Sequence, residues 1–201
     1  QAWRDALPVA DCDDAQALAS LQMFGRFQVL CALREGPWGV LALNRMLAQT
    51  LGFAQQDWYA GRPVMVTRND YGLGLMNGDV GLTLPTARGL RVAFADSAGT
   101  GQGTVRWILP SRLDAVETVF AMTVHKSQGS EFDHVALVLP DRATLVLTRE
   151  LLYTGITRAR RRLTLAVPQD GVLFQAVGQK VWRSGGLVQA LADALPCDQL
   201  C

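Results

Sequence analysis

The sequence predicts an α/β protein: a parallel sheet covered by helices on both faces, interrupted by an inserted block of short strands. Three observations carry this. Continuous apolar runs, FQVLCAL at 27–33 and HVALVL at 134–139, alternate with stretches of helical periodicity, the pattern of strands buried on both faces. Between about 61 and 115 the texture changes to closely spaced β-rich runs with turn residues between them. Beyond that block the α/β alternation resumes.

In chain order, Leu18, Leu21 and Phe24 recur at helical spacing and predict a helix ending near Phe24. The run 27–33 is a buried strand, broken by Gly36-Pro37-Trp38-Gly39. Leu43, Met46, Leu47 and Leu51 make one apolar stripe, hence a helix from Val40 to Leu51, stopped by Gly52. Strands are expected at Pro63–Thr67, Val80–Leu84, Leu90–Ala95 and Thr104–Leu109. Between them lie Asn77-Gly78, Arg88-Gly89 and the Gly99–Gly103 cluster, turn chemistry that suggests a small antiparallel barrel. Then come a strand at Val119–Val124, a strand at His134–Leu139, a helix at Thr148–Ala159 and a strand at Arg162–Val167. Two helical stretches, about 171–179 and 187–195, close the chain.

Composition bounds the function classes. The 201 residues, 49% hydrophobic and 18% charged, can bury a core and exclude a disordered tail. No run of eighteen or more apolar residues reads as a membrane span. The net charge of +1 argues against a uniformly basic nucleic-acid binder. It hides an asymmetry, because residues 149–162 carry five arginines against Glu150 alone. The four cysteines, Cys12, Cys31, Cys197 and Cys201, form no C-x-x-C pair and stand far from His125 and His134. That spacing predicts no metal site and suits a reducing, cytoplasmic compartment. The start at Gln1, with no charged-then-apolar leader, reads as that of a fragment.

Two stretches carry chemistry. TVHKSQGSEFD (123–133) joins two predicted strands and gathers hydroxyls, an imidazole, an ammonium and a glycine. Ligands of open α/β sheets bind at the carboxyl ends of strands, and these groups suit phosphates. The same residues also suit a solvated connecting loop. RELLYTGITRARRR (149–162) reads as a helix packed through its apolar face. Arg160, Arg161 and Arg162 are expected at its carboxyl end, where cations favour the dipole. Arg158 lies nearer the packed face, where a guanidinium needs an anionic partner. A third stretch, GRPVMVTRNDYGLGLMNGDVG (61–81), reads as hairpin turns, with Asn69 and Tyr71 placed to touch a base or sugar. No G-x-x-x-x-G-K-[ST] occurs anywhere.

Together these residues resemble superfamily-1 helicases. AMTVHKSQGSEFDHVALVLP (121–140) is similar to their motif V, and RELLYTGITRARRRLTL (149–165) to their motif VI. The 61–81 stretch and CALREGPWGVLALNRML (31–47) resemble the RecD branch, in its C-terminal part. The resemblance implies the second of two RecA-like domains, of P-loop NTPase type but without its own Walker A. Residues 1–60 and 116–201 would form that domain, and 61–115 an inserted SH3-like β-barrel. It implies a part of an ATP-dependent 5′-3′ DNA helicase subunit of exodeoxyribonuclease V, acting in double-strand-break repair and recombination. ATP with Mg²⁺ would sit in the cleft between the two domains, with the metal ligands outside this chain. Partners would be single-stranded DNA and the beta and gamma subunits of that complex, with no membrane.

Carried over by position, Arg158 matches the arginine that reaches the γ-phosphate. Gly129 and Glu131 match nucleotide-side positions. Thr123, His125 and Ser127 match positions facing the single-strand backbone, and Asn69 is a further DNA contact. The chain alone is expected to be inactive, because half of the ATP site is missing. Two other readings fit the residues. One is a DNA- or protein-binding module whose α/β part is a scaffold. The other is the helicase part of a stand-alone RecD-like enzyme or of a conjugative relaxase.

Overall fold

The computed structural model describes residues 2–53, 57–96 and 104–181. Helices α1 (Ala2–Asp5) and α2 (Asp14–Phe24) lead into strand β1 (Phe27–Cys31) and helix α3 (Val40–Thr50). Strands β2 (Pro63–Val66), β3 (Val80–Thr86), β4 (Gly89–Asp96), β5 (Thr104–Ile108) and β6 (Val116–Thr118) follow. The order then runs β7 (Ala121–Thr123), β8 (Phe132–Val138), α4 (Arg149–Ile156), β9 (Ala159–Ala166) and α5 (Val172–Gly178).

Four strands form one parallel sheet in the order β7-β1-β8-β9. Alternation along β1 sends Leu30 to one face and Val29 and Cys31 to the other. On the first face Leu30, Met122, Val135 and Leu137 pack against Leu151 and Leu152 of α4 and Val172 and Ala176 of α5. On the second, Val29, Cys31, Ala121 and Val138 pack against Val40 and Leu43 of α3. Both faces therefore carry helices, as the apolar runs predict. Among the described residues β9 is an edge strand, and its central six residues are all exposed.

Buried polar side chains hold the opposite edge. Asn44 of α3 donates from Nδ2 to the Ala121 carbonyl at 2.9 Å and accepts from the Ala121 amide at 2.9 Å. Its carboxamide thereby takes the place of a neighbouring strand on the outer side of β7, which is an edge among the described residues. Gln28, 2% exposed, donates to the Phe120 carbonyl at 3.0 Å and pins the link between β6 and β7.

The inserted block is a five-stranded antiparallel sheet, β5-β4-β3-β2-β6, that ends at Thr118. One face packs Leu82, Leu84 and Ala93 against Cys12 and Ala17, in and just before α2. The other encloses Val64, Val66, Val92, Phe94 and Ile108 with Leu75 and Leu113. Among the described residues β5 and β6 are the two edges and do not pair, so the ladder is open and closure into a barrel is not part of the observed pairing.

Three expectations need correction. The stretch Val119–Val124 is a strand only over Ala121–Thr123, because Val116–Thr118 pairs with β2 in the other sheet. The helix at 149–162 ends at Ile156, and Arg160, Arg161 and Arg162 lie on β9. Their helix-dipole role is thereby excluded. Pairing of Ala159 with Phe132 and of Arg162 with His134 draws the segment into the sheet. The Gly99–Gly103 cluster and the helix expected at 187–195 lie outside the described residues.

Candidate functional site

Because all four strands of the parallel sheet run the same way, their carboxyl ends share one end of it. Cys31 stands level with Thr123 and with Val138, and Val138 with Ala166. The amino ends of β8 and β9, with Phe132 beside Ala159, lie at the other. Six residues of β8 separate the two levels, roughly 20 Å at the usual rise. The segment 124–131 therefore does not form one loop at the carboxyl ends, as sequence reasoning placed it. It crosses the length of the sheet as a parallel connection without an α-helix, and divides the candidate residues into two clusters.

The cluster at the amino ends contains Gly129, Glu131 and Arg158. Gly129 has φ of 86°, a conformation that L side chains rarely adopt, and a Cβ there would meet nothing within 4 Å. Its backbone is thus open to a ligand. Arg158, half-buried, donates from Nε to the Thr154 carbonyl at 3.2 Å and from a terminal nitrogen to the Ser130 carbonyl at 3.1 Å. These acceptors orient the guanidinium without neutralising it. Among the described residues no carboxylate pairs with it, so the anion expected beside Arg158 is not supplied by the fold. Glu131 instead accepts from Arg160 Nε at 2.9 Å. Arg26 and Arg161 both reach Asp133, at 3.0 and 4.0 Å. Five arginines (Arg26, Arg158, Arg160, Arg161 and Arg162) thus stand at or beside these strand ends against two carboxylates, Glu131 and Asp133, a field that favours an anion.

The cluster at the carboxyl ends contains Thr123 and His125. The Thr123 hydroxyl accepts from the Lys126 amide at 3.3 Å, which sets the turn after β7. His125 is exposed in a 3-10 turn, His125–Ser127, and lines a cleft of about 430 Å³ with Gln128, Thr148, Glu150 and Thr154. Glu150 is held below the usual carboxylate range, first by a hydrogen bond from its own backbone N–H and further by that of Val181. Ser127 differs from what its position suggested. It is fully buried, and its hydroxyl donates to the Val124 carbonyl at 2.7 Å, so its side chain offers a ligand nothing.

Asn69 lies on the inserted sheet, in the turn between β2 and β3. Its Oδ1 accepts from the Asn77 amide at 2.8 Å and its Nδ2 donates to the Tyr71 hydroxyl at 3.3 Å. The carboxamide shapes the turn that presents Tyr71, which is 79% exposed. Sequence reasoning missed Glu117 and Arg160. Their partners, Lys126 and Arg34 for Glu117 and Glu131 for Arg160, are brought in by strand pairing; Glu117 carries no local signal, and the arginine-rich run that holds Arg160 does not reveal Glu131 as its partner. No group of three or more potential metal ligands occurs among the described residues, and no described helix is long and apolar enough to cross a membrane.

The fold is that of a helicase-like α/β domain. Residues 118–166, which hold both clusters, match the UvrD-like helicase C-terminal domain. The chain is also similar in structure to Pif1 helicase from Bacteroides, solved with ADP-AlF3 and single-stranded DNA. The TM-score is 0.50 and the identity 14%, over 84% of this chain and 45% of that one. Within this class the chain is a homologue of the RecBCD enzyme subunit RecD. It is 40% identical to the Mycolicibacterium smegmatis protein over 90% of its own length, and 42% identical to that of Mycobacterium tuberculosis over 85%. The ATP-dependent RecD2 DNA helicase of Deinococcus radiodurans is 31% identical over 83% of the chain. The chain spans about a third of the first of these relatives, 32% of its length.

Proposed function

We propose that this chain is the C-terminal motor part of an ATP-dependent 5′-3′ DNA helicase subunit of the exodeoxyribonuclease V type, acting in double-strand-break repair and recombination. In this reading residues 1–60 and 119–201 form the second RecA-like domain and 61–118 an inserted SH3-like module, its end moved from 115 because Val116–Thr118 pairs with β2. ATP with Mg²⁺ binds between this domain and one outside the chain, single-stranded DNA is the track, and the beta and gamma subunits are partners. The observation that carries the reading is Arg158. It is oriented by neutral carbonyls, lacks a carboxylate partner among the described residues, and stands beside the open backbone of Gly129.

The residues present fit a phosphate. ATP supplies the phosphoryl group whose transfer to water drives movement. Arg158 faces the negative charge that builds on that group, a role that raises rates by roughly 10³–10⁵ in other phosphoryl-transfer enzymes. Gly129 lets the main chain approach the nucleotide, and Glu131 holds Arg160 at the edge of the same cluster. Thr123 and His125, at the far end of the sheet, meet the backbone of the single strand. Asn69 reaches the DNA through the turn it shapes, and Ser127 contributes by fixing the segment between the clusters. Walker A and the metal ligands belong to the part of the protein outside this chain.

The test uses the full-length protein. Arg158→Ala should abolish ATP turnover while single-strand binding survives, and persistent turnover removes Arg158 from its role. Thr123→Ala with His125→Ala should weaken binding to single-stranded DNA. An unchanged, salt-dependent affinity would favour the scaffold reading.

A further inference from the structure

Glu117 of β6 joins the two sheets at the carboxyl-end cluster. It pairs across β2 with Met65, and directly opposed residues of an antiparallel ladder project to the same face. Met65 packs into the core of the parallel sheet with Met122 and Val124. The Glu117 side chain thus projects toward the parallel sheet and is 21% exposed. One carboxylate oxygen meets Lys126 Nζ and the other meets Arg34 at 3.3 Å. Lys126 lies in the turn after β7, whose amide the Thr123 hydroxyl accepts, and Arg34 lies in the loop after β1. One carboxylate therefore ties together the two loops that leave adjacent strands at this end, and fastens both to the antiparallel sheet. A shared carboxylate holds two cations at a lower conformational cost than two separate pairs, because its rotamer is fixed once.

We propose that Glu117 is a positioning residue for the single-strand contacts of Thr123 and His125. It folds the Lys126 side chain back onto β6, so Lys126 acts as an anchor of the turn and not as a phosphate ligand. The antiparallel sheet thereby becomes part of the DNA-facing end. The inference rests on the helicase reading above, and its test separates the two.

In the full-length protein, ATP turnover is followed against the concentration of an oligo-dT strand. For Glu117→Gln, the DNA concentration giving half-maximal stimulation should rise, by roughly three- to tenfold, the scale of a lost partly covered charge contact. The kcat at saturating DNA should stay within about twofold, a split that general destabilisation does not produce. Arg34→Gln, at the more exposed partner, should move the same quantity in the same direction by less, and serves if Glu117→Gln does not fold. Adding Lys126→Met to Glu117→Gln should change little further, because both act through one contact. An unchanged half-maximal concentration in Glu117→Gln overturns the proposal. So does tighter DNA binding with a steeper salt dependence, which would mean that Glu117 masks Lys126 from phosphate. A wild-type protein that oligo-dT neither binds nor stimulates overturns the helicase reading and this proposal together.

Discussion

Cys31 shows how far burial decides chemistry at the scale of one residue. It is fully buried in β1, and burial pushes its thiol up to about 12 from an ordinary 9.0. Cys12 is raised to about 11, first by burial and then by Asp13 and Asp14. Both thiols are protonated and inert near neutrality. The folded pKa of Cys31 lies above the unfolded one, so its contribution to stability is intact below pH 9.0 and is lost as pH rises from 9.0 toward 12. Urea midpoints should therefore fall between pH 8 and pH 10 more steeply in the natural chain than in Cys31→Ala. Equal slopes would place the thiol in a more polar setting. The other informative single residue is Arg158. Its type and position near a packed face, four residues after Thr154, were readable in the sequence, but its second neutral acceptor was not, since Ser130 is 28 positions away.

At the scale of elements, the apolar runs and their turns were legible. β1, α3 and β2 to β5 of the inserted sheet stand within a few residues of where the apolar runs and turns place them, whereas β6 was not foreseen. The arginine-rich stretch was not. Ala and Arg are good helix formers, so local propensity extends α4 through 162, but ladder pairing with β8 wins and ends the helix at Ile156. Edge position explains why arginines are tolerated there, because charge on an exposed strand blocks pairing with other chains. α4 itself approaches the sheet through Gly155. A Cβ there would lie 3.1 Å from Leu137 and 3.3 Å from Val124. Gly155→Val should cost about 1–3 kcal/mol by overpacking, read as a lowered urea midpoint. A neutral result would mean that α4 can lift away from β8 without loss.

At the scale of the whole molecule, two sheets share one body, with Met65 and Glu117 of the inserted sheet facing the parallel one. The candidate site was partly legible: the residue types of both clusters were identified, and their separation was not. Sequence gives the order of Thr123 and Glu131 along the chain, whereas their positions at opposite ends follow from strand direction, which only pairing reveals. The chain carries Arg158 and no Walker A lysine, so the isolated 201 residues should show no Mg²⁺-dependent ATP hydrolysis above background. Measurable turnover by the pure chain would show that it holds a complete site.

The connection from β7 to β8 has a consequence in contour length. From Thr123 to Phe132 there are nine residue steps, which can reach at most ~30 Å when fully drawn out. The ends are offset by roughly 20 Å along the strands and by two strand spacings, about 10 Å, across them. The span is thus ~22 Å, and the 3-10 turn at His125–Ser127 takes up part of the remainder. With Val124 and Ser127 buried along the way, the segment has little slack. It is closer to a tie-rod than to a loop: the turns between His125 and Ser130 store only a few ångströms of length, and a displacement of Gly129 beyond that must be met by movement at Thr123.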